Sequence, residues 1–263
     1  HDPAVIDKLV RTISPQETDC MIEIGGGKGA LTFPLLQQLR QLHVIELDDR
    51  LADHLARAAP TPQKLIIHRG DALKFDFSSL APAAESLRIV GNLPYNISTP
   101  LIFHLLGFSP QIEDMHFMLQ KEVVERLAAE PGSTDWGRLS VMAQYYCQVD
   151  HLFIVPPEAF VPRPKVDSAI VRLTPHEHLP HTADDPTLLF ELVKLAFGQR
   201  RKTLRNNLKG RVSADTLEAL GIDPARRPQT LTVAEYVAIA NQVAADEAAS
   251  AVANGDTKGS DEA

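Results

Sequence analysis

The sequence predicts a doubly wound α/β fold followed by a small all-α domain. Three observations carry that expectation. Short, mainly apolar runs alternate with helical periodicity over the first half of the chain, the pattern of a parallel sheet covered on both faces. A glycine-rich turn directly follows the first apolar run. Beyond residues 174–183, rich in Pro, His and polar residues, only helical patterns recur.

Each element has its own signal. Asp2-Pro3 reads as an N-cap with proline at the first helical position. Ile6, Leu9, Val10 and Ile13 then repeat at helical spacing. Residues 20–24, 42–47, 65–67, 87–90 and 115–119 read as buried strands. Residues 151–155 and 169–173 are two further strand candidates. The proline-rich segment between them suits an extended loop, and its shortness predicts an antiparallel return at the sheet edge. Asp185-Pro186 reopens helix, and Gly210, Asp223-Pro224 and the capping box Thr232 to Glu235 punctuate several short helices. The expected domains are residues 1–178, a small helical domain at 179–243, and a disordered acidic tail at 244–263.

Composition narrows the function classes. At 44% apolar and 23% charged, the chain is expected to build an ordinary soluble core. No run approaches the ~18 apolar residues of a membrane span, and no secretory signal pattern opens the sequence, so a cytoplasmic protein is expected. Two widely spaced cysteines, Cys20 and Cys147, argue against a disulfide framework and read as buried thiols. The net charge of −8 is unevenly spread. The tail carries five acids and one base, while residues 194–211 hold seven bases and no acid. Leu204 and Leu208 are expected inward, leaving Arg201, Lys202, Arg205 and Lys209 largely outward. A charge run is usually a solvated helix face, but without interleaved acids phosphate binding is the better reading.

The chemistry-bearing residues follow the strands. Gly25, Gly27 and Ala30 fit the dinucleotide pattern and equally a nucleoside-binding loop that lets backbone approach a ligand. Glu46 ends the second strand, where a carboxylate can accept from both hydroxyls of a ribose, or merely be solvated. Asp71-Ala72 follows the third strand, and Asp71 can accept from an adenine amino group or cap the next turn. Asn92-Leu93-Pro94-Tyr95 follows the fourth. An adenine amino nitrogen is a poor nucleophile because its lone pair is delocalised into the ring. The Asn92 side-chain oxygen and the Leu93 carbonyl can together accept its two hydrogens and favour the pyramidal form. Pro94 stiffens the backbone, and Tyr95 offers a ring for stacking. An Asn-X-Pro turn without ligand is the plain alternative, and placement at the fourth strand end decides against it. Phe160 is expected either to close the other face of the base or to fill the core.

Together, Glu23 to Gly29, Ile45-Glu46, Gly70 to Ala72, Asn92 to Tyr95, Pro157 to Ser168 and Ala196 to Lys202 resemble the ribosomal RNA adenine dimethyltransferase family, the bacterial small-subunit enzymes in particular. The resemblance implies a Rossmann-like S-adenosylmethionine methyltransferase sheet with an antiparallel edge strand, and a helical RNA-binding domain. It implies N6,N6-dimethylation of two adjacent adenosines in a hairpin loop near the 3′ end of 16S rRNA, within an immature 30S subunit. It assigns Gly25, Gly27, Glu46, Asp71, Ala72 and Asn92 to the methyl donor, and Asn92 to Tyr95 to the target base. Phe160, Arg200, Arg201, Lys202 and Arg205 would hold RNA. A monomer needing no metal is expected. The family has a Gly-Gln-Asn/His-Phe-Leu segment just before the helix that begins here near Asp2. The sequence opens after that segment, so weaker cofactor binding is expected of this chain. The alternatives are a large-subunit RNA methyltransferase, a non-catalytic ribosome-assembly factor and, from the glycine loop alone, a nicotinamide oxidoreductase.

Overall fold

A computed structural model describes residues 1–81 and 86–256. Seven strands, β1 (Cys20–Ile24), β2 (Leu42–Glu46), β3 (Leu65–Arg69), β4 (Leu87–Asn92), β5 (Ile112–Gln120), β6 (Cys147–Val155) and β7 (Ser168–Pro175), form one sheet in the order β3-β2-β1-β4-β5-β7-β6. β1 to β5 pair in parallel, and β7 runs antiparallel to both β5 and β6. Strand order reverses at β1, which has β2 on one side and β4 on the other. In such sheets the ligand crevice opens at the carboxyl ends of the strands beside that reversal.

Helices α1 (Pro3–Ile13), α2 (Thr32–Gln38), α3 (Asp49–Ala58), α4 (Ser98–Leu106) and α5 (Lys121–Leu127) belong to the sheet-bearing unit. The N-terminal signal reads true: the Asp2 carboxylate accepts from the Ala4 amide, and Ile6, Leu9, Val10 and Ile13 are buried. The expected reversed strand is β7, one in from the edge, while β6 forms the edge itself. Burial explains that order. Residues 168–171 are buried without interruption, whereas β6 carries the polar Gln148, Asp150 and His151. The more apolar strand takes the interior place.

The second compact unit comprises residues 129–145 and 178–263. It holds α6 (Arg138–Tyr146, whose last residue lies in the first unit), α7 (Pro186–Ala196), α8 (Leu204–Asn207), α9 (Ala214–Ala219) and α10 (Val233–Asp256). Residues 129–145, which the linear reading did not set apart, are tied there by hydrogen bonds, three of them short. The Trp136 indole donates to the Leu231 carbonyl at 2.8 Å, the Gly132 amide to Gln229 at 2.7 Å, and Arg200 to Thr134 at 2.8 Å. The capping box is formed, with the Glu235 amide donating to the Thr232 hydroxyl and the Thr232 amide to the Glu235 carboxylate, both at 3.1 Å.

The expected disordered tail is corrected over residues 244–256, which continue α10. Six alanines in that stretch give it the strongest helix-forming composition available, and Glu247 accepts from Arg211 at 2.5 Å. Composition had been read through its charge and its glycine, and helix propensity outweighs both. The remainder of the tail, 257–263, lies outside the described residues. Among the described residues no helix is long and apolar enough to cross a membrane. Cys147 is buried, but Cys20 is only partly so, against the expectation of two buried thiols. At the amino-terminal end of β1, Cys20 meets the chain entering from the turn, where cover is thinner.

One buried ion cluster fixes the strand ends opposite the crevice. Arg88 on β4 is only 7% exposed. Its guanidinium donates to both Asp114 oxygens, at 2.9 and 3.0 Å, and to Asp19 at 2.7 Å. It also donates to the Ile13 carbonyl at the end of α1, at 2.6 Å. A cation at a helix C-terminus meets the negative end of the helix dipole. One side chain thus joins α1, the turn before β1, β4 and β5. Removing it leaves two shielded carboxylates without their counter-charge. Arg88→Met is expected to destabilise the protein by about 3–5 kcal/mol in urea unfolding. A loss below about 1 kcal/mol would show the cluster to behave like a solvated surface pair.

Candidate active site

The carboxyl ends of β1 to β4 are laced together by backbone bonds. The Gly25 amide donates to Ile45 at 2.8 Å, Gly70 to Glu46 at 3.0 Å, and Leu93 to Met118 on β5 at 3.2 Å. These bonds set Gly25, Glu46, Asp71 and Asn92 along one rim.

The glycine loop divides its labour. Gly25 and Gly27 have φ of +73° and +56°, and a Cβ on either would meet no atom within 4 Å. Both therefore need glycine for backbone conformation and leave open space beside the main chain. Gly26 is different. A Cβ there would lie 2.8 Å from Leu55 and 2.9 Å from Val44, so this glycine lets α3 approach the sheet. Not all the loop glycines address a ligand.

Glu46 is 6% exposed. Its two oxygens accept from the amides of Gly27 at 3.1 Å and Asp48 at 3.0 Å. The carboxylate holds the glycine loop to the β2–α3 turn and retains lone pairs for further donors. Asp71 accepts from the Leu73 amide at 3.0 Å, so its turn-capping role is present, and Ala72 beside it is buried.

Glu23 is a residue that the sequence reading passed over as part of the loop. It is 2% exposed, and its Oε2 has no hydrogen-bond partner among the described residues. Burial pushes its carboxyl up to about 8, a hydrogen bond with Thr32 offsets part of that rise, and the nearby Glu46 charge adds to it. Alternation along β1 carried the signal: an acid inside an otherwise apolar strand has to be explained by a partner or a ligand.

Asn92 ends β4, and α4 begins at Ser98. Leu93 is buried and Tyr95 is 41% exposed, with its hydroxyl 3.2 Å from that of Ser168 on β7. That bond holds the ring upright while leaving it open to stacking. The Asn92 amide lies 3.4 Å from His1 Nε2, and the His1 ring meets Phe160 edge to face at 5.1 Å. Phe160, Asn92 and Tyr95 thus share one neighbourhood. Phe160 is also half-buried against the core, as the core reading of it requires. His1 had no signal in the sequence. Arg163 pairs with Glu158 within the proline-rich loop.

The basic residues belong to the helical unit. Leu204 and Leu208 are buried, and Arg201, Lys202, Arg205 and Lys209 are exposed, as their spacing predicted, and Arg200 is exposed as well. The run is less acid-free in space than in sequence, because Arg211 meets Glu191 at 4.0 Å and Glu247 at 2.5 Å.

The model of the family described as "Ribosomal RNA adenine dimethylase" matches residues 1–245. A "Ribosomal RNA small subunit methyltransferase A" of Alcanivorax borkumensis is 59% identical over 92% of this chain and 86% of its own length. Its counterpart in Pseudomonas aeruginosa is 58% identical over 93% and 91%. Among solved structures, a dimethyladenosine transferase from Plasmodium falciparum superposes with a TM-score of 0.77 at 26% identity, covering 94% of this chain and 97% of that one. The 23S rRNA methyltransferase ErmE superposes at 0.69 and 24% identity over 93% and 98%, a likeness of fold.

Glu23 makes stability depend on pH. Its carboxyl ordinarily titrates near 4.5 and in the fold near 8. Between those values the unfolded chain has lost the proton and the fold keeps it, so the contribution to stability falls as pH rises. Glu23→Gln is expected to remove that slope, so that the variant gains on the wild type from about pH 5 to about pH 8 in urea unfolding. A stability difference that stays constant over the window would place an ionised Glu23 in the fold.

The rim of strand ends, the open glycine loop and the Asn-Leu-Pro-Tyr turn agree with the match over nearly the whole chain, and the protein belongs to the ribosomal RNA adenine dimethylase family.

Proposed function

We propose that this chain is the small-subunit enzyme of its family, transferring methyl groups from S-adenosylmethionine to the exocyclic nitrogens of two adjacent adenosines near the 3′ end of 16S rRNA. The observation that carries the reading is Asn92-Leu93-Pro94-Tyr95, set at the end of β4 beside the glycine loop, with Tyr95 exposed for stacking. Identities of 55–60% to small-subunit enzymes over more than nine tenths of the chain support the choice of subunit. The family assignment leaves the nicotinamide alternative without support.

The residues present fit the methyl donor. The space beside Gly25 and Gly27 admits a ligand against backbone, and the orphaned Glu23 Oε2 offers an acceptor to a cationic group. Glu46 would take the ribose hydroxyls on its remaining lone pairs, and Asp71 with Ala72 would flank the adenine. When bound, S-adenosylmethionine supplies an electrophilic sulfonium methyl. The chain's own part is positioning. Asn92 Oδ1 and the Leu93 carbonyl accept from the target amino group, and Tyr95 and Phe160 enclose the base. Such a base must leave its stack, which suits a loop adenosine. Arg200, Arg201, Lys202 and Arg205 in the helical unit would bind phosphate and give affinity a strong salt dependence. The reading places the protein in the cytoplasm as a monomer on an immature 30S subunit.

Asn92→Ala tests it. The variant is expected to lose about 10²-fold in kcat on unmethylated small subunits, with S-adenosylmethionine affinity by calorimetry within about threefold of wild type. Undiminished turnover would take Asn92 out of the mechanism.

A further inference from the structure

Beside the proposed target-base site, the sheet-bearing unit has a second concavity of about 470 Å³. One wall is Gln120 at the end of β5, whose register partner is Ser168, the residue bonded to the Tyr95 hydroxyl. The other wall comes from the proline-rich loop, where Pro157 and Val166 present apolar surface and Val166 is 45% exposed. The Lys121 amide donates to the Asp167 carbonyl at 3.0 Å and pins the loop to the start of α5.

The charge of the lining decides what fits. It holds three carboxylates, Glu122, Glu125 and Asp167, against two amines. One of those amines, Lys121, lies 3.6 Å from Glu125. Glu122 is likewise held by Arg126, at 3.8 Å, which leaves Asp167 as the lining carboxylate without an ion pair among the described residues. The amino group of a base would find an acceptor in it. The Gln120 amide adds a donor next to an acceptor, the pair that reads adenine at N7 and N6. Among the described residues, the Gln120 amide and the Asp167 carboxylate make no hydrogen bond within the protein, so both are available to a ligand. Apolar walls on the loop side suit a ring face.

We infer that this pocket seats the nucleotide next to the target adenosine by its base, an adenine, read by Gln120 and Asp167. The inference rests on the proposed function and deepens it: specificity for the RNA sequence flanking the target would come from the sheet-bearing unit itself. Tyr95 would stack the base being modified while its neighbour is held one pocket away.

The test uses the full chain with Gln120 and Asp167 both changed to Ala, and unmethylated small subunits reconstituted with altered 16S rRNA. In separate RNAs, each nucleotide flanking one target adenosine is replaced by uridine, which lacks an amino group, and methylation of the retained adenosine is mapped. For wild type, replacement on one side is expected to lower kcat/KM about tenfold. The double variant is expected to show the same tenfold loss on unaltered RNA and no further loss on that replaced RNA, where the two proteins become equal. That equality also shows the variant to be folded. Losses that multiply, or a variant as fast as wild type on unaltered RNA, would overturn the inference. So would a loss produced by Lys165→Ala alone, which would mark a phosphate seat. If wild type transfers no methyl group to the unaltered subunits, the proposed function fails instead.

Discussion

The fold depends on the parallel register of β1 to β4. Four consecutive strands running one way place four chain exits on one rim, and the chemistry of the site consists of what those exits carry. Backbone bonds from Gly25 to Ile45 and from Gly70 to Glu46 fix the exits against each other. Glu46 then uses a side chain to bind the glycine loop to the next turn. Preorganisation of this kind matters because the reaction asks the protein for position and hydrogen-bond acceptance. The cost of holding a rim of strand ends rigid is met at the other end of the sheet, where Arg88 joins four elements in one cluster.

Burial assigns opposite roles to charges on that sheet. Arg88 is buried with two carboxylates and several carbonyls around it, so its charge is matched and it works as a clamp. Glu23 is as deeply buried but has an oxygen with no partner among the described residues. Its proton is therefore held against a rising pH. An unmatched polar atom in a well-packed strand is costly, and its place beside the glycine loop and Glu46 makes a ligand the natural partner. The exposed cations of the helical unit are a third case. Arg201, Lys202 and Arg205 sit in water, where attraction to a phosphate backbone is long-ranged and sensitive to salt.

Much of this was legible in the sequence, for identifiable reasons. Strands buried on both faces leave runs dominated by apolar residues, so β1, β2 and β4 could be placed nearly to the residue. Asp2-Pro3 and Thr232 to Glu235 act locally, and local chemistry survives folding. Gly25 and Gly27 were marked by glycine density, but Gly26 could not be told from them, because its reason lies in Leu55 and Val44, which are distant in sequence. The same limit hid the neighbours of Arg211, whose acids come from two other helices. The expectation of disorder fails through residue 256, where the helix preference of the alanines outweighs acid charge and glycine. Glu23 was visible but unweighted, since its meaning depends on burial that only the sheet supplies.

The central claim is that one site transfers methyl groups to adenine nitrogen in small-subunit RNA. The most direct measurement supplies S-adenosylmethionine with a tritiated methyl group to the protein and to small ribosomal subunits lacking the modification, then digests and maps the RNA. The account predicts label in N6,N6-dimethyladenosine at two adjacent positions near the 3′ end. Label in another nucleoside, label only in large-subunit RNA offered alongside, or no transfer at all would contradict it.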